Sequence, residues 1–424
     1  MFILSATPYA PGRARGILHV GPAATAPNAI VVLRQHELTA LGTRPAGIVL
    51  VEGAPFSHPA LRLLSQAIPT VLVEQGQLHG LVEGDEYLLD GHRGQLIRPV
   101  PGMLADAEQP TPPEMGKPVP TRDGANVELR ASVGSAAGSA VAVELGAAAI
   151  GLVRTEYLFP EDGKRPDTGF LAAAFAQICR AAQPLSVTFR LVDIAGDKRP
   201  PWLDKVPGIA GVLGLQGARL YAMEPVRQVF LDELEALNEL AGQYRLDVLL
   251  PYVASLTELE ILAAEIRQHL APSVRLGVML EAPAAALAVD DFLSVADFAA
   301  VGCNDLMQCL FAADRDMPEL RAWLNPHAPV LYRFLEKVAH RAGNGLGTLQ
   351  VCGLLSQRPG ILPLLLGLGY RVFSVDPIMI PWLAQTIRQT DTRRATELAQ
   401  AVCKARRPEE VGRLLDEYTQ NPIP

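Results

Sequence analysis

The chain has 424 residues, of which 49% are hydrophobic and 19% are charged, a composition typical of a globular protein with two or three domains. Its net charge of −8 argues against general binding to nucleic acid or to anionic membranes, so an anionic ligand would need local arginines. The five cysteines lack the spacing of a disulfide framework or a zinc site, and no apolar run is long enough to span a membrane, so we expect a cytoplasmic protein.

Residues 1–100 are predicted to form a small β-rich domain. The short runs AIVVL, AGIVLV and TVLV are rich in β-branched residues, and EGDEYLLDGHRGQLI is typical of a closing hairpin with Asp90-Gly91 as its turn. The segment GAPFSHPALRLLSQAIP predicts a turn followed by an amphipathic helix that begins near Pro59. His58 would lie at the helix N-terminus, where backbone N–H groups and the helix dipole favour an added phosphate. A structural capping role for the Ser-His pair is the alternative.

The remainder of the chain divides into a linker and a larger α/β domain. Residues 101–120 are dense in proline and lack periodicity, which indicates a semi-rigid linker. Residues 121–424 alternate apolar runs with helical patterns, and about eight strands of this kind predict a TIM (β/α)8 barrel. A polar amphipathic segment near the end predicts one final helix packed on the barrel. The predicted strands lie in NVELRASV, AIGLVRTEYLF, SVTFRLVDI, DVLLPYV, RLGVMLEAP, DFAAVG, LQVCGLL and RVFSVDP.

Charged residues follow several of these strands. The runs GVML and FAAVG are followed by Glu281 and Asp305, and the ends of parallel strands face a common mouth. Two carboxylates on one rim would suit Mg²⁺, which completes its shell with water and substrate phosphate. Arg315 lies ten residues after Asp305, close enough for the following loop to bring it to a phosphate. The alternative is that both carboxylates are ordinary helix N-caps.

Basic residues follow three other predicted strands. Arg154 follows IGLV, Arg190 follows VTF, and Lys198 lies in the loop DIAGDK. A single arginine after a strand is usually a surface ion pair. Several basic residues beside two carboxylates, however, fit a clamp for a small phosphorylated anion and its metal.

These motifs resemble those of the phosphoenolpyruvate (PEP)-utilising enzymes, which include enzyme I of the sugar phosphotransferase system, PEP synthase and pyruvate phosphate dikinase. GVMLEAPAAA and GCNDLMQCLFAADR match the patterns GxMxExPxAA and GxNDLxQxxxAxDR, and SHPALRLLSQAIPTVLV is similar to SHxAIxARxxxIPAVVG. GLVRTEYLF and FRLVDIAGDKRPPWL extend the match, and detail and length favour enzyme I. The resemblance implies a C-terminal PEP-binding TIM barrel, an N-terminal swivelling phosphohistidine domain and a homodimer formed through the barrel.

The resemblance also implies roles for individual residues. His58 would carry the phosphoryl group, and Cys352 in LQVCGLL would be the catalytic cysteine. A thiol at the rim can protonate the methylene carbon of the enolate that PEP becomes, although a buried structural cysteine is the alternative. The residues expected to bind PEP are Arg154, Arg190, Lys198, Asn304 and Arg315, and those expected to hold Mg²⁺ are Glu281 and Asp305.

The sequence departs from the family pattern at several positions. The family's GGRT before the histidine is GAPF at 53–56, which removes two side chains able to bond phosphoryl oxygens. The segment GILHVGPAATAPNAIVVL leaves no room for the helical subdomain with which enzyme I docks the phosphocarrier HPr, so HPr is not an expected partner. The departures within the barrel are Gln216, Leu354, Gln357, Arg358, Asp376 and Met379.

The sequence therefore predicts a PEP-dependent phosphotransferase. The expected reaction moves the PEP phosphoryl group to His58 with the help of Mg²⁺, releases pyruvate and passes the phosphoryl group to an unknown acceptor. Two alternatives remain: a PEP- or pyruvate-binding sensor or scaffold that has lost turnover, and an enzyme that uses the same barrel on a different acceptor.

Overall fold

The chain divides into two compact units. A computed structural model describes residues 2–22, 28–99, 110–194, 199–203 and 213–420. One unit contains Met1–Pro110 and Ala313–Asn325, and the other contains Thr111–Ala312 and Pro326–Pro424. Residues 101–109 of the predicted linker lie outside the described residues. The second unit begins at Thr111, before the predicted boundary at residue 121, and its first short strand lies within the predicted linker.

The first unit is built on one mixed β-sheet. Its order is β1-β8-β7-β3-β4-β5-β6-β2 among the described residues, with parallel pairing from β3 to β6 and antiparallel pairing elsewhere. The predicted runs AIVVL, AGIVLV and TVLV form the neighbouring strands β4, β5 and β6. Almost every residue in these strands is buried, as expected for parallel strands covered on both faces. The elements are β1 Ile3–Ser5, β2 Thr7–Ala10, β3 Arg13–Val20, β4 Ala29–Arg34, β5 Gly47–Val51, α1 His58–Ser65, β6 Thr70–Val73, β7 Glu86–Asp90 and β8 Gln95–Ile97.

The predicted hairpin is formed by β7 and β8. These strands pair in antiparallel fashion, with Asp90 opposite Gln95. The Asp90 Oδ1 atom accepts hydrogen bonds from the backbone N–H groups of His92 and Arg93 at 3.1 and 2.9 Å. The aspartate side chain therefore shapes the turn, as short polar side chains commonly do in tight turns.

The second unit is a closed barrel of eight parallel strands. Strand β10 pairs with both β11 and β17, and each remaining strand pairs with its neighbour in chain order, which confirms the predicted TIM barrel. The short strand β9 pairs with β10 in antiparallel fashion. The strands are β9 Val119–Pro120, β10 Asn126–Val133, β11 Ile150–Arg154, β12 Val187–Arg190, β13 Leu246–Leu250, β14 Arg275–Leu280, β15 Phe298–Gly302, β16 Leu349–Cys352 and β17 Val372–Val375.

Helices follow the barrel strands. They are α2 Ala136–Glu144, α3 Thr168–Ala182, α4 Val226–Leu240, α5 Leu256–His269, α6 Pro283–Leu287, α7 Val289–Leu293, α8 Cys303–Phe311, α9 Pro329–Ala342, α10 Ile361–Gly367, α11 Ile380–Gln389, α12 Thr392–Lys404 and α13 Pro408–Gln420. In the described ranges, none of these helices is long and apolar enough to cross a membrane.

The prediction of one final helix was wrong. Two helices, α12 and α13, occupy that segment. Ala405 has an extended backbone conformation that ends α12, and Pro408 begins α13. A proline is compatible with the first turn of a helix but not with its interior, so the segment divides there.

Candidate active site

The centre of the barrel site is Arg190, the last residue of β12. Its guanidinium Nη2 atom lies 2.5 Å from Glu156 Oε1 and 2.9 Å from Asp193 Oδ2, and Nη1 lies 3.9 Å from Glu281 Oε1. The side chain is 6% exposed. Burial alone would lower the pKa of Arg190, but Asp193, Glu156, Glu281 and Asp305 together raise it well above its usual value. The guanidinium of Arg190 therefore stays positively charged and has carboxylates on several sides.

Glu281 directly follows β14, and Asp305 lies in the first turn of α8 beyond the adjacent strand β15. The alternative that they are N-caps is wrong, because the N-cap residues of α6 and α8 are Ala282 and Gly302. A Cβ atom on Gly302 would lie 2.5 Å from Glu281 Cγ, so the glycine makes room for the carboxylate side chain. The Glu281 Oε2 atom accepts a hydrogen bond from the Tyr252 backbone N–H at 3.0 Å.

The charge balance around Glu281 fits a bound cation. Burial, followed by the charges of Asp305 and Asp193, raises the pKa of Glu281 to about 8. Four carboxyl groups act on the guanidinium of Arg190, and a cation bound at Glu281 and Asp305 would favour the ionised form of both. Across the described part of the chain, no group of three or more His, Cys, Asp or Glu side chains forms a metal site by itself. A hard cation such as Mg²⁺ would use two carboxylates and complete its shell with water and substrate oxygens.

Asn304 precedes Asp305 and is turned toward the next strand end. Its Oδ1 atom accepts a hydrogen bond from the Leu354 backbone N–H at 3.0 Å, just beyond β16. Gly353 has a φ of +95°, and a Cβ atom there would lie 2.8 Å from the same Oδ1 atom. Glycine is therefore needed both for the backbone conformation and for the close approach of Asn304.

Cys352 is the last residue of β16. The side chain is buried, and Sγ accepts a hydrogen bond from Gln350 Nε2 at 3.0 Å. Burial raises the pKa of the thiol to about 11, against the opposing effects of Gln350 and Arg154. The thiol therefore keeps its proton at neutral pH, as an acid that acts after another bond has broken must do.

Two of the departures from the family pattern, Gln357 and Asp376, contact each other just beyond β17. Arg154 ends β11 opposite Arg190 on β12. Asp376 is buried just beyond β17, its backbone N–H donates to Gln357 Oε1 at 3.3 Å, and its Oδ2 atom is 3.5 Å from Gln357 Nε2. Burial raises the pKa of Asp376, although Arg154 opposes this shift. A buried carboxyl that resists ionisation repels an anionic substrate less than an exposed, ionised aspartate would.

The first unit presents His58 at the start of α1. Ser57 is the N-cap, and its side chain accepts a hydrogen bond from the Ala60 backbone N–H at 3.4 Å. The His58 Nε2 atom lies 2.8 Å from Arg315 Nη2, and the His58 Nδ1 atom lies 2.9 Å from Asp316 Oδ2. A guanidinium has only N–H donors, so Nε2 must accept and Nδ1 must carry the proton. These two contacts together favour the Nδ1–H tautomer of His58.

The GAPF turn before His58 is packed rather than open. Ala54 and Phe56 are buried, the Ala54 N–H donates to Gln35 Oε1 at 2.7 Å, and the Pro55 carbonyl accepts from the Tyr9 hydroxyl at 3.0 Å. The turn therefore offers no side chain to a phosphoryl group. The GGRT pattern of the family has an arginine here that GAPF lacks. In this chain the guanidinium of Arg315 contacts the imidazole of His58 instead.

A known protein family matches most of the barrel unit. Residues 113–392 match the family described as PEP-utilising enzyme, PEP-binding domain. The chain belongs to the PEP-utilising enzymes. The barrel, with Arg190, Glu281, Asp305 and Cys352 at its strand ends, is therefore the PEP-binding domain of this family.

Relatives with curated names extend the similarity over most of the chain. Multiphosphoryl transfer protein 1 of Escherichia coli is 29% identical over 398 residues, which are 88% of this chain and 47% of that protein. Phosphoenolpyruvate-protein phosphotransferases of Haloferax volcanii and Staphylococcus carnosus are each 30% identical over 88% of this chain and cover 68% and 69% of those proteins. The chain thus spans about half the length of the multiphosphoryl transfer protein and about two thirds of the phosphotransferases.

The structure distributes the predicted site residues between the two units. Arg190 and Glu281 lie together in the barrel, whereas Arg315 belongs to the first unit, where it contacts His58. Lys198 lies outside the described residues. Sequence reasoning missed Glu156, Asp193 and Asp316, although the first two stand in the quoted motifs VRTEYLF and DIAGDK.

Proposed function

We propose that the protein transfers the phosphoryl group of PEP to His58 and releases pyruvate. The observation that carries this proposal is the presentation of His58, whose unprotonated Nε2 atom faces the guanidinium of Arg315 at 2.8 Å. A lone pair at a helix N-terminus, beside a fixed cation, suits a nucleophile that must receive and hold a phosphoryl group. Membership of the PEP-utilising enzymes and the names of the phosphotransferase relatives support the same substrate and reaction class.

The barrel would bind PEP through charges of both signs. Arg154 and Arg190, opposite each other on adjacent strand ends, would bind the phosphate and carboxylate oxygens, with Asn304 as a further contact. Glu281 and Asp305 would hold Mg²⁺. The bound cation would neutralise charge on the phosphoryl oxygens. Arg190 would exchange part of its contact with the surrounding carboxylates for contact with the substrate, so the site is preorganised for an anion.

The proposed transfer forms one bond to phosphorus and breaks another. The Nε2 lone pair of His58 forms the N–P bond while the bond between phosphorus and the enol oxygen breaks, and its electron pair leaves on the enolate. Cys352 then gives its proton to the methylene carbon, which converts the enolate to pyruvate. The thiolate that remains takes a proton from water. The raised pKa of Cys352 keeps the acid loaded before the transfer.

Intact-mass measurement at high pH tests the proposal. Wild-type protein with PEP and Mg²⁺ should gain one phosphoryl group that is stable in base and labile in acid, with one pyruvate released per site. His58→Ala should remove the adduct, whereas His79→Ala, at an exposed histidine of the same unit, should keep it. The labelled protein should not pass the group to HPr, because residues 21–28 leave no room for a docking subdomain between β3 and β4.

Two results would overturn the proposal. The first is the absence of an adduct on wild-type protein after hours at saturating PEP and Mg²⁺. The second is an adduct that persists in His58→Ala, because the phosphoryl group would then be carried by another residue.

A further inference from the structure

Asp316 holds His58 at two points. The Asp316 Oδ1 atom accepts a hydrogen bond from the His58 backbone N–H at 2.8 Å, and Oδ2 accepts one from the ring Nδ1 at 2.9 Å. One carboxylate therefore occupies the N-terminus of α1 and orients the imidazole at the same time. The side chains of His58 and Asp316 are 15% and 29% exposed, so their contact is partly shielded from water.

Asp316 is itself fixed by its surroundings. Its backbone N–H donates to Asp314 Oδ1 at 2.9 Å, and its carbonyl oxygen accepts from Gln35 Nε2 at 3.0 Å. Gln35 is buried, and its Oε1 atom accepts from the Ala54 N–H in the turn before His58. The carboxylate thus belongs to a network that also sets the backbone leading into α1.

The charge of Asp316 persists in this environment. Burial would raise the pKa of Asp316, but the hydrogen bonds from the side chain and backbone of His58, together with the charge of Arg315, lower it below its usual value. An ionised carboxylate only accepts hydrogen bonds, so the proton between Asp316 and His58 belongs to Nδ1. Arg315 imposes the same assignment from the other side of the ring.

We propose that Asp316 is a positioning residue that locks His58 in the Nδ1–H tautomer and balances the charge of the ring during phosphoryl transfer. This inference rests on the proposed function of His58. When Nε2 forms a bond to phosphorus, its lone pair is consumed, Nδ1 keeps its proton, and the ring becomes cationic. A carboxylate already bonded to Nδ1–H stabilises that cation without reorganisation, in the way that a buried aspartate supports a catalytic histidine in hydrolases.

Nitrogen NMR of the full-length protein tests the tautomer directly. With ¹⁵N-labelled histidine, and with His58→Gln to assign the resonances, wild-type His58 should show one Nδ1–H form. Asp316→Ala removes the anchor at Nδ1, so the ring can rotate away from Arg315 as well and should show a mixture of tautomers. Asp316→Asn keeps only one oxygen acceptor for the two N–H groups of His58 and should therefore give an intermediate mixture. Glu86→Gln removes one charge from an exposed carboxylate of the same unit and should change nothing.

Labelling kinetics provide the second readout. Losing one charge-assisted hydrogen bond should slow formation of the phosphoryl adduct by about 10- to 100-fold in Asp316→Ala, with Asp316→Asn between the two. The resonances of His79 and His92 report whether the first unit remains folded in each variant. A folded Asp316→Ala protein with an unchanged tautomer and an unchanged labelling rate would overturn the inference.

The two proposals fail in different ways. If His58 is not phosphorylated in wild-type protein, the proposed function fails, yet the tautomer shift in Asp316→Ala would still show that Asp316 sets the ring. If wild-type protein is phosphorylated and Asp316→Ala behaves identically in both measurements, only the role of Asp316 is refuted.

Discussion

Substitution of Glu233 by glutamine should remove a pH-dependent loss of stability. Glu233 lies in α4 and is fully buried, and its Oε2 atom accepts a hydrogen bond from the Val192 backbone N–H at 2.7 Å. Burial raises the pKa of Glu233 from its usual 4.5 to about 8. At neutral pH the folded protein therefore keeps a proton on this carboxyl that the unfolded chain has released.

The sign and size of the effect follow from proton linkage. The stability associated with protonated Glu233 is fully present below about pH 4.5 and is lost as the pH rises toward 8. At ~1.36 kcal/mol for each pH unit, the free energy of unfolding falls by about 3 kcal/mol at pH 7 and by about 5 kcal/mol above pH 8. Glutamine keeps an oxygen acceptor for the Val192 N–H and cannot ionise, so the variant escapes this loss.

Urea unfolding followed by tryptophan fluorescence between pH 5 and pH 9 measures the difference. The advantage of Glu233→Gln over wild type should grow with pH by a few kcal/mol and level off near pH 8. Glu239→Gln removes the same charge from an exposed position of the same helix and should show no such trend. A constant difference between Glu233→Gln and wild type across this range would refute the reasoning, because it would mean that Glu233 ionises alike in both states.

Two further predictions concern the barrel. Titration calorimetry should show that PEP binding weakens at least tenfold when Mg²⁺ is removed with EDTA and is abolished by Glu281→Ala but not by Glu239→Gln; equal affinity with and without Mg²⁺ would contradict the metal assignment. Cys352→Ala should slow pyruvate formation by about 10²- to 10⁴-fold while His58 still becomes labelled, as followed by deuterium uptake into the pyruvate methyl group. An unchanged rate of uptake would exclude Cys352 as the proton donor.

Much of the fold could be predicted from the sequence because buried parallel strands leave a strong local signal. GVML and FAAVG are short continuous apolar runs, and both lie in neighbouring strands of the closed barrel. The break between α12 and α13 was missed because amphipathic periodicity continues across Pro408, where only the backbone chemistry of proline ends the pattern. The short strand β9 was missed because its two residues carry no periodicity.

The candidate site was less predictable, because pairing across the fold has no local signature. Glu156 stands near Arg154 in the sequence, yet its contact with Arg190 depends on how β11 and β12 are aligned. Asp193, by contrast, contacts Arg190 from only three residues further along the chain. Asp316 lies 258 residues from His58 along the chain. Nothing near either residue indicates the other, so the two-point contact became visible only in three dimensions.

The protonated state of Cys352 also affects its chemical durability. The thiolate is the form that reacts with alkylating reagents and peroxide, and burial raises the pKa of the thiols of Cys179, Cys303, Cys309, Cys352 and Cys403 alike. An acid that works by keeping its proton is thereby a poor target for oxidation, unlike a cysteine nucleophile, whose reactivity makes it vulnerable. Chemical modification of the three buried thiols, those of Cys179, Cys303 and Cys352, would therefore report how often the native packing opens.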